Sequence, residues 1–292
     1  MREMRLALEI IRQAGARTLL GESPCWDPVT HDVWWVDIEG KRLLFLDRSS
    51  GRIDSWDLPE HPGFVVLLAS GRPALGLERG IFAFDPETGG LARLVSFDRP
   101  GQRFNDAAVD GSGRLWASTM ALDAEADTGA IHLVTPDLML QMIVKNLRIP
   151  NGLAADLKRD RLFYSDSHPG VRRVWIRRIA GKPASGGDAA AYVDGDQLGG
   201  RPDGAALDTH GNYWIAAADG ARLGVFDPDG RLATVLPMPF ASPSKPAFGG
   251  ADGRSIAITS KAIGEEGGYL ALADLPADMP AGIVQPFWVP HA

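Results

Sequence analysis

One short stretch recurs along the chain and constrains what it can fold into. In residues 201–208 a polar residue, Asp203, is followed by small and apolar residues and, five positions later, by an Asp that opens a turn. Three further copies place a polar residue in the same position, namely Glu22, Asn105 and Asn151. A unit that recurs at intervals of several tens of residues is typical of a repeat architecture.

Each copy begins a unit of four short segments rich in β-branched and aromatic residues, separated by turns that contain Gly, Pro, Asn or Asp. Six such units follow one another at spacings of about 41 to 52 residues. Four antiparallel strands per unit favour an all-β, six-bladed β-propeller over a pair of β-sandwiches, which would not need six units in phase. We expect residues 1–292 to form this single domain.

Three segments depart from the repeat. Residues 5–18 could form a short helix or a strand, and as a strand they would complete the sixth unit, whose last strand is weak, and close the ring. Residues 284–289 compete for the same role. In the fourth unit, residues 181–187 are rich in Gly and are predicted to form a loop.

Composition argues against several classes of protein. The net charge is −7, and without a clustered basic face we expect no nucleic-acid partner. No run reaches the ~20 apolar residues of a membrane span, and the N-terminus lacks the apolar region of a signal peptide. We therefore expect a cytoplasmic protein that does not bind membranes, as a monomer or weak homo-oligomer. Cys25 stands alone in an apolar run, where a buried, inert thiol is expected.

The first strand of each propeller blade lines the central axis, so equivalent residues of the six units should form a ring at one mouth of the channel. The predicted ring consists of Glu22, Phe64, Asn105, Asn151, Asp203 and Ala247. Four of these side chains carry oxygen, and clustered carboxylates repel one another unless a cation neutralises them. Asn-Gly and Asp-Gly are also ordinary turn dipeptides, but turns alone would not place four polar residues in phase. The ring predicts a central metal site for an ion such as Ca²⁺, Mg²⁺ or Mn²⁺.

Other catalytic signatures are missing from the sequence. The six histidines show no His-x-His or His-x-x-x-His spacing, which argues against a His-rich zinc site. There is no Gly-x-Ser-x-Gly elbow, P-loop or dinucleotide fingerprint. His168 follows a strand end and is expected in a loop or behind the pocket rather than in catalysis.

A set of motifs in a fixed order resembles the SMP-30/gluconolactonase/regucalcin family of six-bladed propellers. Within the family, bacterial sugar lactonases are the closer branch, because Lys245 and Pro246 precede the last motif. The motifs are Gly-Glu-Ser-Pro at 21–24, Arg-Phe-Asn-Asp at 103–106, Ser-Thr-Met at 118–120, Pro-Asn-Gly at 150–152, Tyr-Ser-Asp-Ser at 164–167, Pro-Asp-Gly at 202–204 and Phe-Gly-Gly at 248–250.

The resemblance implies roles for individual residues. Glu22, Asn151 and Asp203 would bind one divalent cation, which could be Ca, Mn, Mg, Zn or Fe(II). Asn105 would lie in the same pocket and, together with Arg103, contact the hydroxyls of a sugar.

A further contact is implied after the Thr-Met motif, where the family often has a Glu. This chain has Asp123 there, with a shorter side chain, and we expect it to contact the substrate.

The implied reaction is hydrolysis of an aldonolactone (glucono-, xylono-, arabinono- or galactono-lactone), or of a uronic or aldaric lactone, to the open acid. The enzyme would be a hydrolase of carboxylic ester bonds in which the cation polarises the carbonyl and Asp203 takes the proton from the attacking water. Two alternatives stay open. One is an esterase or organophosphate hydrolase of the paraoxonase type, and the other is a non-catalytic propeller that binds calcium or sugar.

Overall fold

Six sheets form the molecule in the computed structural model, which describes residues 1–180 and 189–290; each contains four antiparallel strands, and one has a fifth strand at its edge. Within each sheet, consecutive strands of the chain lie side by side, and in two sheets an N-terminal strand is added at one edge. The prediction of an all-β, six-bladed β-propeller is confirmed. The predicted loop at 181–187 lies outside the described residues. Within those residues, no helix is long and apolar enough to cross a membrane.

The first three blades span the first half of the chain. Blade one consists of Gly21–Trp26, Val33–Asp37, Arg42–Leu46 and Ile53–Asp57. Blade two consists of Phe64–Leu67, Pro73–Gly76, Gly80–Asp85 and Gly90–Ser96. Blade three consists of Gln102–Val109, Leu115–Ala121, Gly129–Val134 and Leu140–Leu147.

The other three blades follow the same plan. Blade four consists of Pro150–Asp156, Arg161–Asp166, Arg173–Arg177 and Ala189–Asp194, followed by the helical turn Gly195–Leu198. Blade five consists of Arg201–Leu207, Tyr213–Ala218, Arg222–Phe226 and Leu232–Pro237. Blade six has Pro243–Gly249, Ser255–Ser260 and Ala271–Asp274 from this part of the chain.

The N-terminus closes the ring. Strand Glu9–Ile10 pairs antiparallel with Ala271–Asp274 and becomes the fourth strand of blade six, so the first of the two predicted closures is confirmed. Strand Arg2–Glu3 runs parallel to the outer strand of blade five and adds a fifth strand there. Residues 284–289 do not close the ring. They cross beneath blades two and three, where Trp288 donates its backbone N–H to Leu67 O at 2.7 Å.

A buried Asp–Trp contact explains the recurring turn. Asp208 is fully buried, and its Oδ1 accepts hydrogen bonds from the backbone N–H groups of His210 and Asn212. Its Oδ2 accepts from the side-chain amide of Asn212 and from the indole N–H of Trp214, six residues on. Asp110 and Trp116 repeat the indole contact in blade three at 3.0 Å. The turn Asp therefore satisfies the donors of the turn and fixes the next strand.

Apolar clusters between neighbouring blades supply the rest of the core. Between blades two and three, Phe64 packs edge-on against Phe104, and Trp288 from the C-terminal segment belongs to the same cluster. Between blades five and six, Trp214 packs edge-on against Phe248 with ring centroids 5.1 Å apart. Because both faces of each sheet are covered, the blades hold one another in place and fix the positions of the inner strands.

The Asp–Trp contact makes a stability prediction. We expect Asp208→Ala to lower the free energy of unfolding by ~3 kcal/mol, because it leaves buried N–H donors without an acceptor. The matched control is Asp227→Ala, since Asp227 accepts the same pair of turn N–H groups but bonds no indole and is partly exposed. Its cost should be ~1 kcal/mol in the same urea titration. Equal losses for the two variants would contradict this role of the buried carboxylate.

Candidate functional site

A cleft of about 390 Å³ opens at one mouth of the channel, where the inner strands begin. All six blades contribute to it. The predicted residues in its wall are Glu22, Arg103, Asn105, Asn151 and Asp203. The structure therefore brings together five of the six residues to which the sequence assigns a binding or catalytic role.

Irregularities in the inner strands position these side chains. The pairing register slips in the inner strands of blades one, three, four, five and six, and in blades one, three, four and five the slip lies beside the polar residue of the repeat. In blade four the slip follows Asn151, and Gly152 adopts a left-handed φ of 64° that glycine tolerates best. A bulge of this kind re-aims a side chain at a functional site. Blade two has no slip, and its ring residue is the fully buried Phe64.

A directional chain of hydrogen bonds runs across the cleft. Arg103 Nη1 donates to Asn105 Oδ1 at 2.7 Å, and Asn105 Nδ2 donates to Asn151 Oδ1 at 3.2 Å. Asn151 Nδ2 in turn donates to Asp203 Oδ1 at 2.7 Å and to Ser167 Oγ at 3.0 Å. Each amide thereby has a fixed orientation, and the chain ends on a carboxylate.

Two carboxylates in the cleft form no ion pair with any cation among the described residues. Glu22 accepts only the backbone N–H of Ser23 at 2.7 Å, and Asp203 accepts only from the Asn151 amide, in the part of the chain that the structure describes. Burial raises the pKa of Glu22 well above its ordinary value, and the nearby Asp203 charge adds to this effect. Burial also raises the pKa of Asp203, to about 7. Both groups therefore lie where negative charge is costly.

Arg103 is the cationic group closest to the amide chain. Its Nη1 donates to the backbone oxygen of Phe104 and to the Asn105 amide oxygen, and no carboxylate of residues 1–180 or 189–290 forms an ion pair with it. Burial lowers the pKa of the guanidinium to about 10, while the charge of Glu22 acts in the opposite direction. Arg103 remains a cation at neutral pH with donors left over for a ligand.

The rim of the cleft contains charged residues that the repeat did not predict. They form pairs, with Arg201 Nε 2.7 Å from Asp219 Oδ2 and Lys261 Nζ 3.6 Å from Glu39 Oε1. Arg201 precedes Asp203 by two positions, as Arg103 precedes Asn105, so the aligned copies contained a signal for it.

Asp123 is placed differently from the other predicted residues. It lies in an exposed turn, where its Oδ1 accepts the backbone N–H groups of Glu125 and Ala126. Those bonds lower the pKa of the carboxyl below its ordinary value. Leu122 and Ala124 on either side line the cleft, whereas Asp123 does not. Its contact with substrate stays a prediction.

The placement of Ala247 in the ring is wrong. Ala247 lines a separate cavity of about 70 Å³ at the opposite end of the channel, together with Cys25 and Gln285. In blade six the register slip lies between Pro243 and Pro246, and the strand pairs regularly from Pro246 onward. The residue five positions before the turn Asp, Ala247, therefore lies in the regular part of the strand and not in the bulge. Blade six contributes Ser242 to the cleft instead.

The prediction that Cys25 is a buried thiol is confirmed. The side chain is buried, and burial raises the pKa of its thiol to about 12, which makes it an inert thiol.

The donor set in the cleft fits a divalent cation that prefers oxygen ligands. Glu22 and Asp203 supply carboxylate charge that no described side chain neutralises in an ion pair, and Asn151 Oδ1 has a second lone pair beyond its bond with Asn105. In residues 1–180 and 189–290 no cluster of three or more His, Cys, Asp or Glu side chains forms a metal centre. A site here would depend on two carboxylates and an amide.

The fold and the cleft define a six-bladed propeller with an oxygen-lined axial pocket. Residues 20–262 match the sequence profile described as the SMP-30/gluconolactonase/LRE-like region, and the chain belongs to this family. The resemblance carried by the motifs is thereby confirmed.

Two relatives and one solved structure illustrate the match. The chain is 33% identical over 254 residues to a 6-deoxy-6-sulfogluconolactonase of Pseudomonas putida, covering 86% of this chain and 85% of the relative. An L-arabinolactonase of Azospirillum brasilense is 29% identical over 283 residues, with 94% and 91% covered. The crystal structure of a calcium-binding protein, regucalcin, from Agrobacterium tumefaciens superimposes with a TM-score of 0.88 at 24% identity, covering 99% of both chains. At that identity the likeness is one of fold.

The buried charge of Asp203 makes a prediction for the metal-free protein. Because its pKa is raised in the folded state, the fold binds the proton more tightly than the unfolded chain between about pH 4 and pH 7. This contribution to stability is therefore lost as pH rises through that window. Asp203→Asn should stabilise the chelator-treated protein by ~2 kcal/mol at pH 8 and have little effect at pH 4.

Urea titrations at the two pH values measure this difference. Asp229→Asn, at an exposed turn, is the matched control and should change stability little at either pH. An equal offset of Asp203→Asn at pH 4 and pH 8 would contradict the argument.

Proposed function

We propose that the protein is a metal-dependent lactonase that hydrolyses a five- or six-carbon aldonolactone to the open sugar acid. The observation that carries the proposal is a pair of carboxylates, Glu22 and Asp203, that form no ion pair with the described residues and lie in a cleft large enough for one sugar ring. The relatives from Pseudomonas putida and Azospirillum brasilense are named lactonases, which hydrolyse carboxylic ester bonds, and the chain belongs to that class of enzyme.

Glu22, Asn151 and Asp203 are the proposed ligands of one divalent cation. A cation bound there would supply a Lewis acid for the lactone carbonyl and positive charge for the developing oxyanion. The protein contributes ligands whose orientation is already set, because Asn105 and Ser167 both hold the Asn151 amide. Ca²⁺, Mn²⁺, Mg²⁺, Zn²⁺ and Fe²⁺ are the candidates.

Arg103 and Asn105 are the proposed contacts to the sugar. The guanidinium has donors that no protein acceptor uses in the described residues, and a fork of N–H groups suits vicinal hydroxyls or a second carboxylate of an aldaric lactone. Asp123 is proposed for the outer hydroxyls, since the residues on either side of it line the cleft. These contacts would orient the ring with its carbonyl towards the carboxylates.

Asp203 is the proposed general base. Its Oδ1 is held by Asn151, and its Oδ2 has no hydrogen-bond partner among the described residues, so one oxygen is free to face a water. The water would lose its proton to Asp203 as its oxygen attacks the carbonyl carbon. The ring C–O bond then breaks, and the proton passes to the departing ring oxygen, which gives a hydroxy acid.

A lactone panel followed with a pH indicator tests the proposal. We expect turnover of one or more aldonolactones by protein loaded with divalent ions, and a loss of at least ~100-fold for Asp203→Asn, because removing a general base typically costs 10²–10⁴-fold. Chelation should abolish turnover and re-addition of the ion should restore it.

The panel includes aryl esters, an organophosphate and an uncatalysed blank. Asp229→Asn, in an exposed turn away from the cleft, serves as the matched control and should retain full activity. Turnover confined to the aryl esters or the organophosphate would favour a paraoxonase-like hydrolase. Metal or sugar binding without turnover would favour a binding protein, and full activity after chelation would rule out the metal mechanism.

A further inference from the structure

A buried ion pair lies directly behind the cleft. Lys245 comes from the inner strand of blade six, and its Nζ reaches blade three, where it lies 2.5 Å from Asp106 Oδ1 and donates to Ala107 O at 2.8 Å. Only 7% of the Lys245 side chain and 2% of the Asp106 side chain are exposed. None of the proposed steps at the substrate uses this pair.

Asp106 satisfies backbone groups at two of the strand irregularities. Its Oδ1 accepts the backbone N–H of Ala107, and its Oδ2 accepts that of Leu153 at 2.8 Å. In blade three the pairing register slips between Phe104 and Ala107. In blade four it slips between Asn151 and Ala154, so Leu153 lies inside the slip. A bulge leaves backbone N–H and C=O groups without a partner on the neighbouring strand. Here one carboxylate accepts hydrogen bonds from such N–H groups at two bulges.

Lys245 also touches the third irregular strand. Its stem passes against Gly204, so closely that a Cβ on that glycine would lie 2.4 Å from Lys245 Cβ. Gly204 lies within the slip between Pro202 and Ala205. The ion pair thereby contacts blades three, four and five at residues one or two positions after Asn105, Asn151 and Asp203.

The charge of Lys245 matters as much as its contacts. Asp106 would otherwise be a further buried carboxylate on the axis, close to Glu22 and Asp203, and like charges at short range repel. An apolar residue at 245 would leave this charge uncompensated. The repulsion would then act on the bulges that position the cleft residues.

We propose that Lys245 and Asp106 are a positioning pair, which fixes the bulges of three blades so that Asn151 and Asp203 converge on one cation. The inference rests on the proposed metal site and deepens it. Neither residue touches substrate or the reacting atoms. Lys245 of the Lys-Pro pair noted in the sequence would thereby help to position the residues of the cleft.

The test compares Lys245→Met with wild type by calorimetric titration of Mn²⁺ into chelator-treated protein. Outer partners of metal ligands typically contribute 10–100-fold in metal affinity, so we expect the dissociation constant to rise at least ~10-fold. At saturating Mn²⁺ the lactone KM should change little, because Lys245 does not contact substrate. Lys145→Met, on the exposed outer strand of blade three, is the matched control and should bind Mn²⁺ like wild type.

Asp106→Asn gives a second route should Lys245→Met fail to fold, as judged by circular dichroism. Asparagine keeps an acceptor for Leu153 but loses the charge, so its Mn²⁺ affinity should fall as well. In the double variant, Lys245→Met should weaken binding much less than it does alone. Fully additive effects, or an unchanged Mn²⁺ affinity in both single variants, would overturn the inference. Wild type that binds no Mn²⁺ and hydrolyses no lactone would overturn the proposed function as well.

Discussion

Negative charge held away from water is the constraint on which the site depends. Glu22 and Asp203 lie in the axial cleft, where among the described residues they accept hydrogen bonds only from uncharged groups, and burial raises the pKa of both. A fold gains nothing in stability from such an arrangement, because the charged forms are disfavoured until a cation arrives. The arrangement makes sense as a binding site whose cost is offset by the inter-blade packing and the buried Asp–Trp contacts.

The second constraint is geometric. Regular inner strands would direct successive side chains alternately towards neighbouring blades, and only the bulges bring polar residues of separate blades to one cleft. The bulges need partners for their freed backbone groups. Asp106, Ser118 and Lys245 provide them in a layer beneath the cleft. The ion pair beneath the cleft therefore supports the bulges that carry the proposed metal-binding and substrate-binding residues.

The six-bladed fold and most of the cleft residues were predictable from the sequence, because each unit of the repeat forms the same strands and turns. The six blades were predictable from the spacing of the four-strand units, and in blades three and five the turn Asp and the Trp six residues later recur because both blades use the same buried contact. The predicted position of Ala247 was wrong because the bulge of blade six lies earlier in its strand, and residue spacing does not reveal where a strand changes register. Asp123 stands where the family often has a Glu, and it lies in a turn that its own carboxylate stabilises. In the sequence Lys245 was informative only as part of the Lys-Pro pair that distinguishes a branch of the family. Its ion pair with Asp106 was not predictable, because the two residues are 139 positions apart.

Anomalous diffraction from crystals soaked in Mn²⁺ tests the central claim most directly. The account predicts one strong anomalous peak per chain in the axial cleft, within ~2.0–2.6 Å of carboxylate oxygens of Glu22 and Asp203 and of Asn151 Oδ1. The peak should disappear from crystals of Asp203→Asn. A cleft without a peak, or a peak bound by other side chains, would contradict the account.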